Sequence, residues 1–80
     1  MTDAELLTVF TRNLRDLIGD DSIVLAMNTR RNDVDGWDSL MYVTFIVAIE
    51  LDLKIKFRVA DVESFETVGD VVAKVRSLLG

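Results

Sequence analysis

The sequence predicts an all-α fold, a small helical bundle of three principal helices plus one short helix, and three observations carry that expectation. Half of the residues are hydrophobic while glycine is sparse and proline absent, a composition that favours long helices over a turn-rich sheet or a disordered segment. Apolar residues recur at helical spacing in three separate stretches. Each stretch is preceded by Thr, Asp or Ser, whose side chains satisfy the free N–H groups of a first helical turn. The chain of 80 residues is read as a single domain, 1–80. A domain of that size buries only ~60–65 % of the surface its unfolded chain exposes, so a deep enzyme cleft is not expected.

The first helix opens on Thr2-Asp3-Ala4-Glu5, a capping box in which the Thr2 hydroxyl and the Glu5 carboxylate satisfy reciprocal backbone N–H groups. Leu6, Leu7, Phe10, Leu14, Leu17 and Ile18 follow on one side, and Gly19 is a stop signal, so the helix is expected from about Asp3 to Ile18. From Gly19 to Trp37 the periodicity breaks into a polar loop with one short turn at most, pinned across the bundle by Ile23, Leu25 and Met27. A loop this long in so small a chain points to function.

The second helix starts at Asp38 or Ser39 and carries two apolar stripes. Tyr42, Phe45, Ile46, Ile49 and Leu53 form one; Leu40, Val43, Thr44, Val47 and Leu51 form the other. A helix apolar nearly all round either lies in the middle of a core or offers its second face to a partner. Leu51 to Arg58 alternates apolar and polar, and since a lone strand has nothing to pair with, this stretch is expected as an extended connector. In it Leu53, Ile55 and Phe57 cover the end of the bundle while Lys54, Lys56 and Arg58 stay solvated. A short helix is expected over Val59 to Glu63, and Thr67 caps a last helix with Asp70 at its N3 position and Val68, Val71, Val72, Val75, Leu78 and Leu79 on one face.

Fourteen acidic residues against nine basic ones leave a formal charge of −5, which repels polyanions and argues against a nucleic-acid partner. The absence of cysteine excludes a disulfide framework. Asp3 and Glu5 stand where the basic region of a secretory signal would lie, and the apolar run from Leu40 to Ile49 is shorter than the ~20 residues of a membrane span, so a cytoplasmic protein that does not enter membranes is expected. Arg30 and Arg31 have Asp33 and Asp35 close by and make no basic patch.

The residues that bear on chemistry are Gly36-Trp37-Asp38-Ser39-Leu40. A serine hydroxyl attacks at neutral pH only with a base in reach, the usual one is histidine, and the chain has none. No catalytic residue and no metal-ligand cluster is therefore assigned, and Ser39 reads as an attachment point rather than a nucleophile. Asp-Ser-Leu before a helix is by itself ordinary capping chemistry. Its context is more specific: a long loop before it, a doubly apolar helix after it, an acidic chain, and Phe65-Glu66-Thr67-Val68-Gly69-Asp70 opening the last helix. In these features, which cover essentially the whole chain, the sequence resembles the acyl carrier protein family, with its peptidyl and other phosphopantetheine-dependent carrier domains.

The resemblance implies that Ser39 carries phosphopantetheine derived from coenzyme A, attached through its Oγ by a separate magnesium-dependent phosphopantetheinyl transferase, and that Asp38 assists this modification. It implies further partners in an acyl- or aminoacyl-loading ligase and downstream synthase or transferase enzymes, met by a monomeric carrier. The outer stripe of Leu40, Val43, Val47 and Leu51, with Glu50 at its edge, is the expected partner-binding surface. Fatty-acid carriers are typically acidic along this helix, whereas here Met41, Thr44 and Leu51 replace acids and leave Glu50 and Asp52. That departure favours apolar contact over long-range steering, and a specialised pathway over housekeeping lipid synthesis. Trp37 braces the loop against the bundle or touches the prosthetic arm. Fatty acyl, polyketide and aminoacyl or peptidyl cargo all remain open, as does a helical adaptor that uses the apolar stripe with Ser39 as a plain cap.

Overall fold

A computed structural model describes every residue, Met1–Gly80. It consists of α1 (Asp3–Ile18), α2 (Ser39–Leu53), the short α3 (Val59–Ser64) and α4 (Val68–Leu79), with a 3-10 turn over Arg31–Asp33 inside the long loop. The all-α architecture expected from the spacing is the one found. α1 packs against both α2 and α4 and so forms the spine of the bundle.

The capping chemistry is the expected one. Thr2 Oγ1 accepts from the Glu5 N–H at 3.2 Å and Glu5 Oε1 accepts from the Thr2 N–H at 2.8 Å. At the head of α4 the Asp70 carboxylate accepts from the N–H groups of Glu66 at 2.9 Å and Thr67 at 3.1 Å, and those bonds hold its carboxyl below the usual pKa. The core takes Leu6, Phe10 and Leu14 from α1, Phe45, Ile46 and Ile49 from α2, and Val68, Val71, Val72 and Val75 from α4. Phe10 and Phe45 meet edge to face at 5.7 Å, the arrangement that ring quadrupoles favour. No polar or charged residue is buried.

The long loop is held differently from the expectation. Ile23 and Leu25 are buried as anchors, but the Met27 side chain is exposed, and it is the backbone that ties this part of the loop down. The Met27 carbonyl accepts from the Gly69 N–H at 2.7 Å and the Thr29 carbonyl from the Val68 N–H at 2.8 Å. Both donors belong to the first turn of α4, where no helical carbonyl is in reach, so the loop fills a need the helix creates. From α1, Arg15 Nε donates to the Ile23 carbonyl at 2.6 Å and Thr11 Oγ1 accepts from the Leu25 N–H at 3.2 Å.

Two further expectations are corrected. The connector begins later than the alternation of Leu51 to Arg58 suggests: α2 runs on to Leu53, and Lys54 ends it in the left-handed conformation, φ 56°. Alternation over three residues does not distinguish strand from helix here, because Leu53 continues the inner face of Ile46 and Ile49 while Leu51 continues the outer one. Beyond it, Phe57 is buried and stacks edge-on with Phe65 at 5.5 Å, and Lys54, Lys56 and Arg58 are solvated as expected. Leu78 and Leu79 are exposed, because the final turn of α4 lies outside the hydrophobic cluster.

Candidate functional site

The centre of interest is the start of α2. Gly36 turns the loop into it with φ 86°, and a β-carbon there would lie 3.1 Å from Cγ2 of Ile18, so both backbone conformation and space require glycine. Asp38 is the N-cap: its Oδ1 accepts from the Met41 N–H at 2.8 Å, and its carbonyl accepts from the Tyr42 N–H at 2.8 Å. The cap therefore leaves the N–H groups of Ser39 and Leu40 without protein acceptors. Ser39 is exposed at the first helical position, and its hydroxyl is committed to no hydrogen bond within the protein. Free N–H groups and the positive end of the helix dipole are what a phosphate ester on that hydroxyl would need.

Trp37, two residues before the serine, is buried. Its ring lies 5.1 Å from Phe45 at 74° and 6.3 Å from Tyr42, so the side chain does brace the loop against α2. Tyr42 in turn donates its hydroxyl to the Val62 carbonyl at 2.8 Å, which ties α2 to α3; burial pushes the Tyr42 pKa up, against the opposing pull of the Arg31 cation. The Arg31 guanidinium sits 5.3 Å over the Tyr42 ring, at cation–π distance. Between the loop, α2, α3 and α4 these side chains line a cleft of about 370 Å³.

The outer stripe of α2 is left uncovered by the rest of the chain: Leu40 is 77 % exposed, Val43 54 %, Val47 45 % and Leu51 75 %. Thr44, the polar member, turns its hydroxyl back onto the Leu40 carbonyl at 2.9 Å. The acids flanking the stripe are engaged within the molecule. Glu50 Oε2, at the edge of the stripe, accepts from the Phe57 N–H at 2.8 Å and so clamps the connector to α2. Asp52 Oδ2 accepts from Asn13 Nδ2 of α1 at 3.0 Å. Periodicity along α2 carries no trace of these two bonds, since both partners lie on other elements. We expect Glu50→Ala to lower stability by about 1 kcal/mol, the cost of a partly buried N–H left unpaired, and Glu50→Gln to restore most of it; urea denaturation of both variants measures this.

The fold and this site define a small helical domain that presents an exposed, uncommitted serine hydroxyl at a helix start. A family model for the phosphopantetheine attachment site matches residues 36–75, a span that includes Ser39. The solution structure of a holo acyl carrier protein from Geobacter metallireducens superposes with a TM-score of 0.84 at 40% sequence identity, covering 91% of this chain and 84% of that one. Comparison with curated protein sequences gives no match. The chain belongs to the acyl carrier protein family. It is thus a carrier and not an enzyme, its cofactor is covalently attached phosphopantetheine, and it interacts with a phosphopantetheinyl transferase and acyl-handling enzymes.

Proposed function

We propose that residues 1–80 work as one monomeric, cytoplasmic carrier domain in which Ser39 Oγ is the attachment point and Asp38 assists the transferase and its magnesium during loading. The observation that carries this reading is the exposed, uncommitted Ser39 hydroxyl between a capping Asp38 and two free N–H groups. Asp38 serves two ends: it frames the first turn of α2, and its exposed carboxylate adds negative charge beside the serine where a divalent cation is drawn in. When attached, the prosthetic group supplies a thiol that holds an acyl group as a thioester. Ser39 itself does no chemistry after loading; it anchors. Intact mass after incubation with coenzyme A and a broad-specificity transferase tests the reading, and a chain that gains no mass beside a control carrier that does would refute it.

The partners are proposed to be the ligase, synthase or transferase enzymes of a specialised fatty-acid, polyketide or similar pathway, docking on Leu40, Val43, Val47 and Leu51. What supports this is the uncovered apolar stripe together with the intramolecular engagement of Asp38, Glu50 and Asp52, the acids of this helix and its cap. A partner that meets such a face gains from a hydrophobic groove more than from arginine and lysine steering. Val47→Lys and Leu51→Lys are expected to weaken partner turnover at least tenfold, mostly through dissociation, with folding unchanged. Partner kinetics that do not respond to either charge would remove the stripe from the docking surface.

A further inference from the structure

Trp37 has a property that bracing the loop does not explain. Its indole Nε1 is buried and has no hydrogen-bond acceptor in the protein, the one buried side-chain polar atom so placed. An indole N–H is a donor only, and a buried donor without an acceptor is costly, so such groups are found where a further partner completes them. The same side chain lines the 370 Å³ cleft, together with Arg31, Tyr42, Val62, Phe65 and Val71. Trp37 and Tyr42 bracket Ser39 in sequence, so the cleft begins within about one helical turn of the serine.

The cleft does not have the lining of a plain hydrocarbon site. Six of its thirteen residues are hydrophobic; among the rest, Arg30 and Arg31 are balanced by Glu63 and Glu66, with Arg30 and Glu66 paired at 3.7 Å. Balanced charge gives no field that selects an anion. An uncharged chain with carbonyl oxygens fits this wall and this donor, and the pantetheine arm carries such oxygens in its amides whatever cargo it bears.

We propose that Trp37 donates its indole N–H to an amide carbonyl of the prosthetic arm, so that the cleft beside Tyr42 is a seat for the arm itself. This rests on Ser39 being the attachment point. Trp37 is then an arm-positioning residue: it fixes how far the cargo extends from the bundle before a partner draws it out. Access to Nε1 requires the lining to part, and the exposed Arg30 and Glu66 chains have the rotamer freedom for that.

Because Trp37 is the single tryptophan of the chain, its indole N–H gives one resonance, readable without any substitution. The test compares uniformly nitrogen-15-labelled apo protein with protein loaded from coenzyme A, loading being verified by intact mass. The expected result is a downfield shift of the indole proton on loading and about fivefold slower exchange with solvent, the scale of one neutral hydrogen bond. Complete mass gain with an unmoved indole resonance overturns the proposal while leaving the carrier reading intact, and it is also the result if a buried water already satisfies the donor. Absence of a Ser39-dependent mass gain overturns both. In holo Trp37→Phe, which keeps an aromatic brace but no N–H, the arm thiol is expected to alkylate faster than in wild type; an equal rate in a variant with unchanged circular dichroism also overturns the proposal.

Discussion

Ser39→Ala is expected to abolish loading completely while leaving the stability of the fold within about 0.5 kcal/mol of the wild type. The two halves of this expectation come from different atoms. On the proposed attachment, loading needs an oxygen at position 39, and no neighbouring group is placed to replace it: Asp38 Oδ1 accepts the Met41 N–H, and Thr44 Oγ1 is turned onto the Leu40 carbonyl. Stability does not need that oxygen, because the cap of α2 is Asp38 and the Ser39 hydroxyl holds nothing. The control is Asp38→Ala, which keeps the hydroxyl and removes the cap, and is expected to cost about 1 kcal/mol. Intact mass and urea denaturation on the same three proteins separate the roles. A Ser39→Ala protein that still gained the mass of phosphopantetheine would move the attachment to another hydroxyl and end the assignment.

Gly69→Ala is expected to destabilise the protein, although local reasoning gives the opposite sign. Gly69 lies in the first turn of α4, and replacing a helical glycine with alanine ordinarily gains about 0.5–1 kcal/mol. Here a β-carbon would lie 2.7 Å from the Met27 carbonyl oxygen and 3.4 Å from its carbon. The obstacle is backbone, and it is the carbonyl that accepts the Gly69 N–H at 2.7 Å, so the loop cannot retreat without losing that bond. Overpacking of this kind costs ~1–3 kcal/mol. In a domain whose whole stability is of order 4–12 kcal/mol, each kcal/mol lowers the melting temperature by about 4–8 °C. Thermal melts give the sign, and amide exchange should place the loosening at the loop around Met27 and Thr29. A melting temperature equal to or above wild type would show that the loop yields at no cost.

The heads of α2 and α4 differ in how far their structure is legible in the amino-acid sequence. The start of α2 was legible, since an N-cap, a first-turn residue and the onset of apolar spacing lie within a few positions of one another. The boundaries of α1 and the head of α4 were legible for the same reason: Thr2 with Glu5, and Thr67 with Asp70, are reciprocal pairs inside one turn. The end of α2 was not, because an apolar–polar alternation over Leu51 to Leu53 fits either period. Nor was the seat of Gly69. A backbone carbonyl is the same in every residue, so nothing in the letters of Met27 and Thr29 marks them as acceptors for α4.

The helices, their N-terminal caps and the place of Ser39 at the head of α2 follow from the amino-acid sequence, because each depends on residues within a turn or two of chain. Which stripe of α2 faces outward follows from the family resemblance and not from spacing, since both are apolar; packing against α1 is what distinguishes them, and it buries Phe45, Ile46 and Ile49. Only the tertiary structure decided that Glu50 and Asp52 are tied to Phe57 and Asn13, and that the Trp37 indole N–H is enclosed without an acceptor. Hydrogen bonding across a fold depends on where distant segments come to rest. A carboxylate that looks free along its own helix is free only if nothing folds back to meet it.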